Sequence, residues 1–305
     1  MCIVGYFDDV KATANKVGRK LPFLFKEPLI QQHLPLSLLF YANIDKLLLK
    51  SRFLKSYGIA FYRLIWYNNY GRIIMQLTRD MTFTVVCNIR TPKGDNKEDV
   101  GTGIFISKDN TAYLVTAAHV ASKTNTNTYI VYCDAHSNPI VRKLTVLNGT
   151  LSWQYHPIAD ICCLELDLEH NMDLLSNRCF PYDHIESDVT AISRDIELTC
   201  VGFPNGLGVE GKFTPFTFRS YFSSNIIELK YDESKEKSEF ICLENPSVGG
   251  YSGGPIFDLG YRIMGSLKTS RGKTRLFGIM FGTLKDETGG KLAVVTPIHY
   301  LTDLI

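Results

Sequence analysis

Gly250-Tyr251-Ser252-Gly253-Gly254-Pro255 sets one serine among three glycines and a proline. Glycine permits backbone angles and close approaches that a side chain blocks, so this bend can present a hydroxyl. The backbone N–H groups of Gly250 and Ser252 can converge on one point beside it. Such a point stabilises the oxyanion of acyl transfer, where one donor is worth about 10²–10³ in rate. A serine hydroxyl is a weak nucleophile without a base. The chain therefore has to supply a histidine and a carboxylate elsewhere.

Both are present upstream. Tyr113-Leu-Val-Thr-Ala-Ala-His119 is an apolar run, read as a buried strand, that ends in two small residues and a histidine. Asp160 stands at the mouth of a second apolar run, Ile161-Cys-Cys-Leu-Glu-Leu166. A carboxylate buried there needs partners, and an N–H of His119 is the natural one. That bond fixes the tautomer that leaves the other ring nitrogen free for the proton of Ser252.

These three motifs resemble the trypsin-like, chymotrypsin-fold serine peptidases. Thr116-Ala-Ala-His119, Asp160-Ile-Cys-Cys-Leu164 and Gly250-Tyr-Ser252-Gly-Gly-Pro255 occur in that family's order, 41 and 92 residues apart. Gly101-Thr-Gly103-Ile-Phe-Ile106 looks like the strand placed just before the histidine. The resemblance runs over roughly residues 82–300. It implies an all-β chain of two antiparallel six-stranded barrels closed by a short C-terminal helix. It also implies a serine endopeptidase with His119, Asp160 and Ser252 as catalytic triad and the N–H groups of Gly250 and Ser252 as oxyanion hole. The first barrel is expected at 79–168, a linker at 169–190, and the second barrel with its helix at 191–305. The alternative is a catalytically idle domain of the same fold that captures a peptide or partner.

Departures from the family pattern carry information. Tyr251 stands where digestive members keep an aspartate that receives a newly cut N-terminus, so the chain looks more like intracellular bacterial and Deg-type members. Pro246 replaces an aspartate at the base of the P1 pocket. The resemblance implies one wall at Ser247-Val248-Gly249 and the other at Phe281-Gly282-Thr283, an edge that would also pair with the substrate backbone. An uncharged P1 residue is expected, although Glu244, Asp286 and Glu287 are near enough to place charge there. A protein or peptide substrate follows. No metal, organic cofactor or nucleic-acid partner is implied.

Composition is that of an ordinary globular chain: 305 residues, 45% hydrophobic and 21% charged. Charge is unevenly spread. Residues 1–78 carry eleven basic and four acidic side chains, a net +7, against +2 for the whole. This segment lies outside the resemblance. Asn43 could cap a helix through Ile44, Leu47, Leu48, Phe53, Leu54 and Tyr57, and aromatics are dense from Phe53 to Tyr67. Three readings stay open: a helical extension packed on the peptidase, a basic aromatic helix on an anionic membrane surface, or a true start at Met75 or Met81. The longest uncharged apolar stretch, residues 34–44, is too short to span a bilayer, and no signal peptide is visible.

Eight cysteines invite a disulfide reading. However, the resemblance puts bridged cysteines where Val120 and Val248 stand, and Cys162 and Cys163 are neighbours on one strand, facing opposite ways. Eight reduced thiols and a cytoplasmic location are expected. Strands are read at residues 82–90, 101–107, 111–116, 127–134, 140–147, 161–168, 196–202, 240–243, 255–257, 263–267, 276–281 and 292–295. Pro92–Val100 reads as a loop, Phe213–Phe222 and Ile226–Leu229 as a hairpin, and Thr296 as the cap of the terminal helix.

Overall fold

The computed structural model describes residues 64–67, 73–95, 97–134, 136–167, 178–188, 193–230, 236–285 and 287–305. The helix expected from Asn43 to Tyr57 lies outside them. Within the N-terminal segment the described part is not helical. β1 (Leu64–Tyr67) and β2 (Ile73–Gln76) pair as an antiparallel hairpin, in keeping with the β-forming Ile, Trp and Tyr of the first strand and the two Ile of the second.

β-strands dominate the rest. A 3₁₀ helix, Arg79–Val85, leads into β3 (Val86–Gly94), β4 (Lys97–Lys108) and β5 (Thr111–Thr116). Residues 82–85 are thus 3₁₀ rather than strand, with the Thr82 and Thr84 hydroxyls turned back onto the Arg79 and Met81 carbonyls. Most of Pro92–Val100 is strand, not loop: β3 and β4 stay paired out to Gly94 and Lys97. The β4–β5 turn puts Asp109 and Asn110 at φ 47° and 69°, the left-handed pair that suits tight hairpins.

β6 (Tyr129–Cys133) and β7 (Pro139–Lys143) follow, and the chain then makes a short helix at Leu144–Leu147 where strand was expected. With β8 (Gln154–Tyr155) and β9 (Cys162–Glu165) they complete the first sheet, ordered β7-β6-β3-β4-β5-β9-β8. β10 (Phe180–Pro181) adds to β4 in parallel.

The second sheet takes β11 (Leu198–Gly202), β12 (Phe216–Ser220), β13 (Ile227–Leu229), β14 (Ser238–Leu243) and β15 (Pro255–Asp258). Next come β16 (Tyr261–Met264), β17 (Leu267–Ser270), β18 (Arg275–Lys285) and β19 (Lys291–Pro297). The sheet's order is β12-β11-β15-β18-β19-β14-β13. The all-β architecture of two antiparallel barrels holds, with eight and seven strands in the sheets instead of six each. β12 and β13 are not a hairpin, since β12 pairs with β11 and β13 with β14. Residues 263–267 do not form a second-barrel strand either. β16 and β17 form a separate two-stranded hairpin on the surface.

The terminal helix is 3₁₀, Ile298–Asp303. Thr296 does not cap it: this residue lies in β19 opposite Ile279, and Pro297 precedes the helix without a side-chain cap. The helix is held by burial instead, since Ile298 and Leu301 are fully enclosed. One cluster runs from Phe105 and Leu114 of the first barrel to Phe203, Phe257 and Ile279 of the second, and a smaller one, with Phe277 and Val295, fills the second barrel. Leu77 belongs to the first cluster, and Gln76 donates to Gly260, Ser270 and Gly272.

Candidate active site

Asp160 follows a turn that His156 organises. The Nδ1 of His156 accepts from the N–H groups of Ile158 and Ala159 at 3.3 and 3.0 Å, and its ring packs at a tilt against Tyr300, 4.7 Å between centroids. The terminal 3₁₀ helix thereby supports the turn that delivers the carboxylate. His119 lies in the short helix α1 (Ala118–Ala121) directly after β5. The first N–H groups of a helix lack internal partners, and Asp160 supplies one. Its Oδ1 accepts from the backbone N–H of His119 at 2.8 Å, and its Oδ2 lies 2.7 Å from Nδ1 of the ring. Asp160 is 1% exposed and His119 35%, so a buried carboxylate orients a ring that opens to the cleft.

Ser252 comes from the second barrel, and Thr102 of β4 fixes its loop. The Thr102 N–H donates to Ser252 O at 2.8 Å, and its hydroxyl donates to Gly250 O at 2.7 Å while accepting from Phe203 N–H at 3.2 Å. Two glycines are required here. Gly250 and Gly253 sit at φ 98° and 80°, and a Cβ would collide with the Phe203 carbonyl at the first and with Thr116 and Thr102 at the second. Among the described residues, the N–H groups of Gly250 and Ser252 meet no acceptor. Tyr251 fills the space beneath: its ring packs edge-on against Phe218 at 5.1 Å, and burial pushes its hydroxyl up to about 12.

The hydroxyl of Ser252 donates to Phe281 O at 3.1 Å, not to His119. Phe281 lies where the β18–β19 register shifts between Met280 and Gly282, a bulge of the kind that re-aims a side chain. Its ring meets His119 edge-on at 5.8 Å. The two expected pocket walls touch. Ser247 Oγ lies 2.8 Å from Thr283 Oγ1 and 3.2 Å from Gly282 O, and Thr283 Oγ1 donates to Ser247 O at 3.0 Å. Pro246 and Gly249 are exposed and Val248 is 52% exposed.

A cavity of about 190 Å³ opens on the other side of the serine, lined by His119, Gly249, Gly250 and Ser252 with Asp99, Gly101 and Lys123. Sequence reasoning missed Thr102, His156, Asp99 and Lys123. Only Thr102 left a signal, since it lies between the glycines of Gly101-Thr-Gly103. The histidine and serine motifs single out His119 and Ser252, whereas the residues that hold them are ordinary threonines and histidines placed by topology. The seven described cysteines are free and buried, and burial pushes the Cys163 thiol up to about 12.

A trypsin-like peptidase domain matches residues 101–265, more than half of the chain, and the chain belongs to that family. The motifs and strand architecture place it with the trypsin-like serine proteases. Solved structures similar to it include an inactive form of Rv3671c from M. tuberculosis, at 18% identity and TM-score 0.47, covering 73% of this chain and 85% of that one. Deg5 is similar at 15% identity and TM-score 0.45, over 73% of this chain and 87% of that one. The HtrA-type protease AlgW with a decapeptide is similar at 16% and 0.44, over 72% and 63%. Among curated proteins, no sequence matches the chain significantly. No helix among the described residues is long and apolar enough to cross a membrane.

Proposed function

We propose that the chain is a serine endopeptidase that cleaves peptide bonds through an acyl-enzyme on Ser252. One observation carries the reading: Asp160 grips His119 through both its backbone N–H and Nδ1, leaving Nε2 as the ring nitrogen for the cavity shared with Ser252. In this role Nε2 takes the Ser252 proton as Oγ attacks the carbonyl carbon, then gives it to the leaving amine. Water repeats the sequence to release the acid. The N–H groups of Gly250 and Ser252 hold the oxyanion.

The Phe281 carbonyl links substrate binding to this step. An extended peptide on the Phe281–Thr283 edge offers its own N–H to that carbonyl. The Ser252 hydroxyl is then displaced and turns about χ1 from one staggered well to another, toward His119. The Ser247–Thr283 contact leaves room for a small, uncharged P1 side chain. Seven buried thiols suit a reducing compartment, and the cytoplasm is the location we assign.

A fluorophosphonate probe tests the reading. Labelling is expected on Ser252, and Ser252→Ala should lose both labelling and about 10⁶ in kcat. Labelling that persists on the alanine variant would remove Ser252 from the role. An unlabelled wild-type protein that still binds extended peptides would make the chain a capture module instead.

A further inference from the structure

The β16–β17 hairpin takes no part in the cleft, and its composition is unlike that of the surface around it. From Leu259 to Lys285 the chain has no carboxylate, yet it carries Arg262, Lys268, Arg271, Lys273, Arg275 and Lys285. The root of the hairpin is tied down. Gln76 bonds Ser270 Oγ at 3.0 Å and the Gly260 and Gly272 carbonyls at 2.9 and 2.8 Å. The Arg79 N–H donates to the Tyr261 hydroxyl at 3.4 Å. Every residue from Arg262 to Ser270 is exposed.

The tip is apolar on both faces. Met264 pairs with Leu267 beside the Gly265-Ser266 turn, and Ile263 pairs with Lys268 one step back. Cross-strand partners share a face and successive pairs alternate, so Met264 and Leu267 lie on one face and Ile263 on the other. The three are 57%, 67% and 54% exposed. Behind them stands one cation per face, Arg262 with Met264 and Lys268 with Ile263. Cations at the root are neutralised, Arg271 by Asp258 at 2.7 Å and Arg275 by Glu186 at 2.7 Å. Arg262 and Lys268 have no carboxylate partner among the described residues. Arg262 reaches only the Asp195 carbonyl, and Lys268 lies over the Tyr261 ring at 4.0 Å.

We infer that this hairpin is a wedge that docks the protein on an anionic lipid surface. The cleft beside Ile263 is only about 10 Å³, too small to seat a partner's side chain, whereas an exposed apolar tip can enter a deformable interface. Long cationic side chains behind it reach the phosphate layer while their stems stay with the apolar tip. Basic residues near such a surface are drawn to anionic lipid within a Debye length. The proposal does not depend on peptidase activity.

The test uses the full chain with extruded vesicles of phosphatidylcholine, alone or with one-third phosphatidylserine, at low salt. Sedimentation should carry the protein down with the anionic vesicles and not with the neutral ones. Replacing Ile263, Met264 and Leu267 together by serine should lower the bound fraction at least tenfold with an unchanged melting temperature. Charge reversal in Arg262→Glu with Lys268→Glu should do the same, and 0.5 M salt should weaken wild-type binding. A local probe keeps the segment 1–78 from deciding the result. Ser266→Cys, labelled with an environment-sensitive dye in a Cys2→Ser background, should shift to the blue and resist iodide quenching only on anionic vesicles. A triple-serine variant that binds like wild type, a dye that stays in water while the protein sediments, or no sedimentation at all would each overturn the proposal.

Discussion

On the first-barrel side of the cleft, one buried carboxylate meets His119 at 2.8 and 2.7 Å, and the ring is already oriented by it. On the second-barrel side the polar groups bond one another. Ser252 Oγ is held by Phe281 O, and Ser247 and Thr283 close on each other across the expected P1 slot. An unpaired buried polar group costs about 1–3 kcal/mol, and these mutual bonds avoid that cost. A peptide N–H or carbonyl can replace those bonds one for one. On the proposed reading the difference teaches where substrate energy is spent: the acid–base pair would stand assembled, while the nucleophile and pocket would be released by what binds there.

The sharpest break of this comparison is made on the assembled side. Asp160→Asn keeps the size and one acceptor but favours the wrong ring tautomer, and kcat should fall about 10⁴-fold. Steady-state cleavage of a peptide substrate reads it. A loss of less than about tenfold would mean that another group orients His119.

A smaller effect is expected where the two sides meet. Thr102 belongs to the first barrel but bonds the nucleophile loop at Gly250 O and Ser252 O. Thr102→Val removes the hydroxyl, leaves Gly250 O and Phe203 N–H without it, and lets the oxyanion donors drift. Displacements of about 1 Å cost around 10², so kcat should fall by that order with little change in KM, and Thr102→Ser should restore most of it. Equal rises in KM for both variants would assign Thr102 to ground-state binding.

The residues of the candidate site were more legible in the sequence than their support. Glycines at 250 and 253 mark positive φ, and a histidine or aspartate at the end of an apolar run is a local signal. Asp160 therefore could be matched to His119 on sequence alone. Strand propensity failed where side-chain bonds, turns or distant partners decide. Thr82 and Thr84 are good strand formers, yet their hydroxyls close a 3₁₀ turn. Ile263 and Leu267 are apolar but sit on a surface hairpin, because Gly265-Ser266 reverses the chain between them. Thr102 acts through a hydrogen bond across 148 residues to Gly250, and the ring of His156, beside its local bonds, lies 3.3 Å from Asp303, 147 residues on. No local periodicity records such distances.

The smallest expected effect sharpens the substrate-responsive side. Thr283→Gly deletes the hydroxyl that bonds Ser247 and the methyl that narrows the slot, and leaves the triad untouched. The edge strand keeps its backbone, and Gly282 beside it already lacks a side chain. Larger P1 residues should then gain. A methylene in an apolar pocket is worth about 1–3 kcal/mol when it is accommodated, so the kcat/KM ratio of leucine to alanine at P1 should rise by roughly tenfold or more. Alanine substrates should change little, because their side chain does not reach Thr283. Matched peptides differing only at P1 give the ratio directly. If the ratio is unmoved while both rates fall, the Ser247–Thr283 contact holds the edge in place instead of setting the size of the slot, and specificity has to be sought at Val248 or on the cavity side with Asp99 and Lys123.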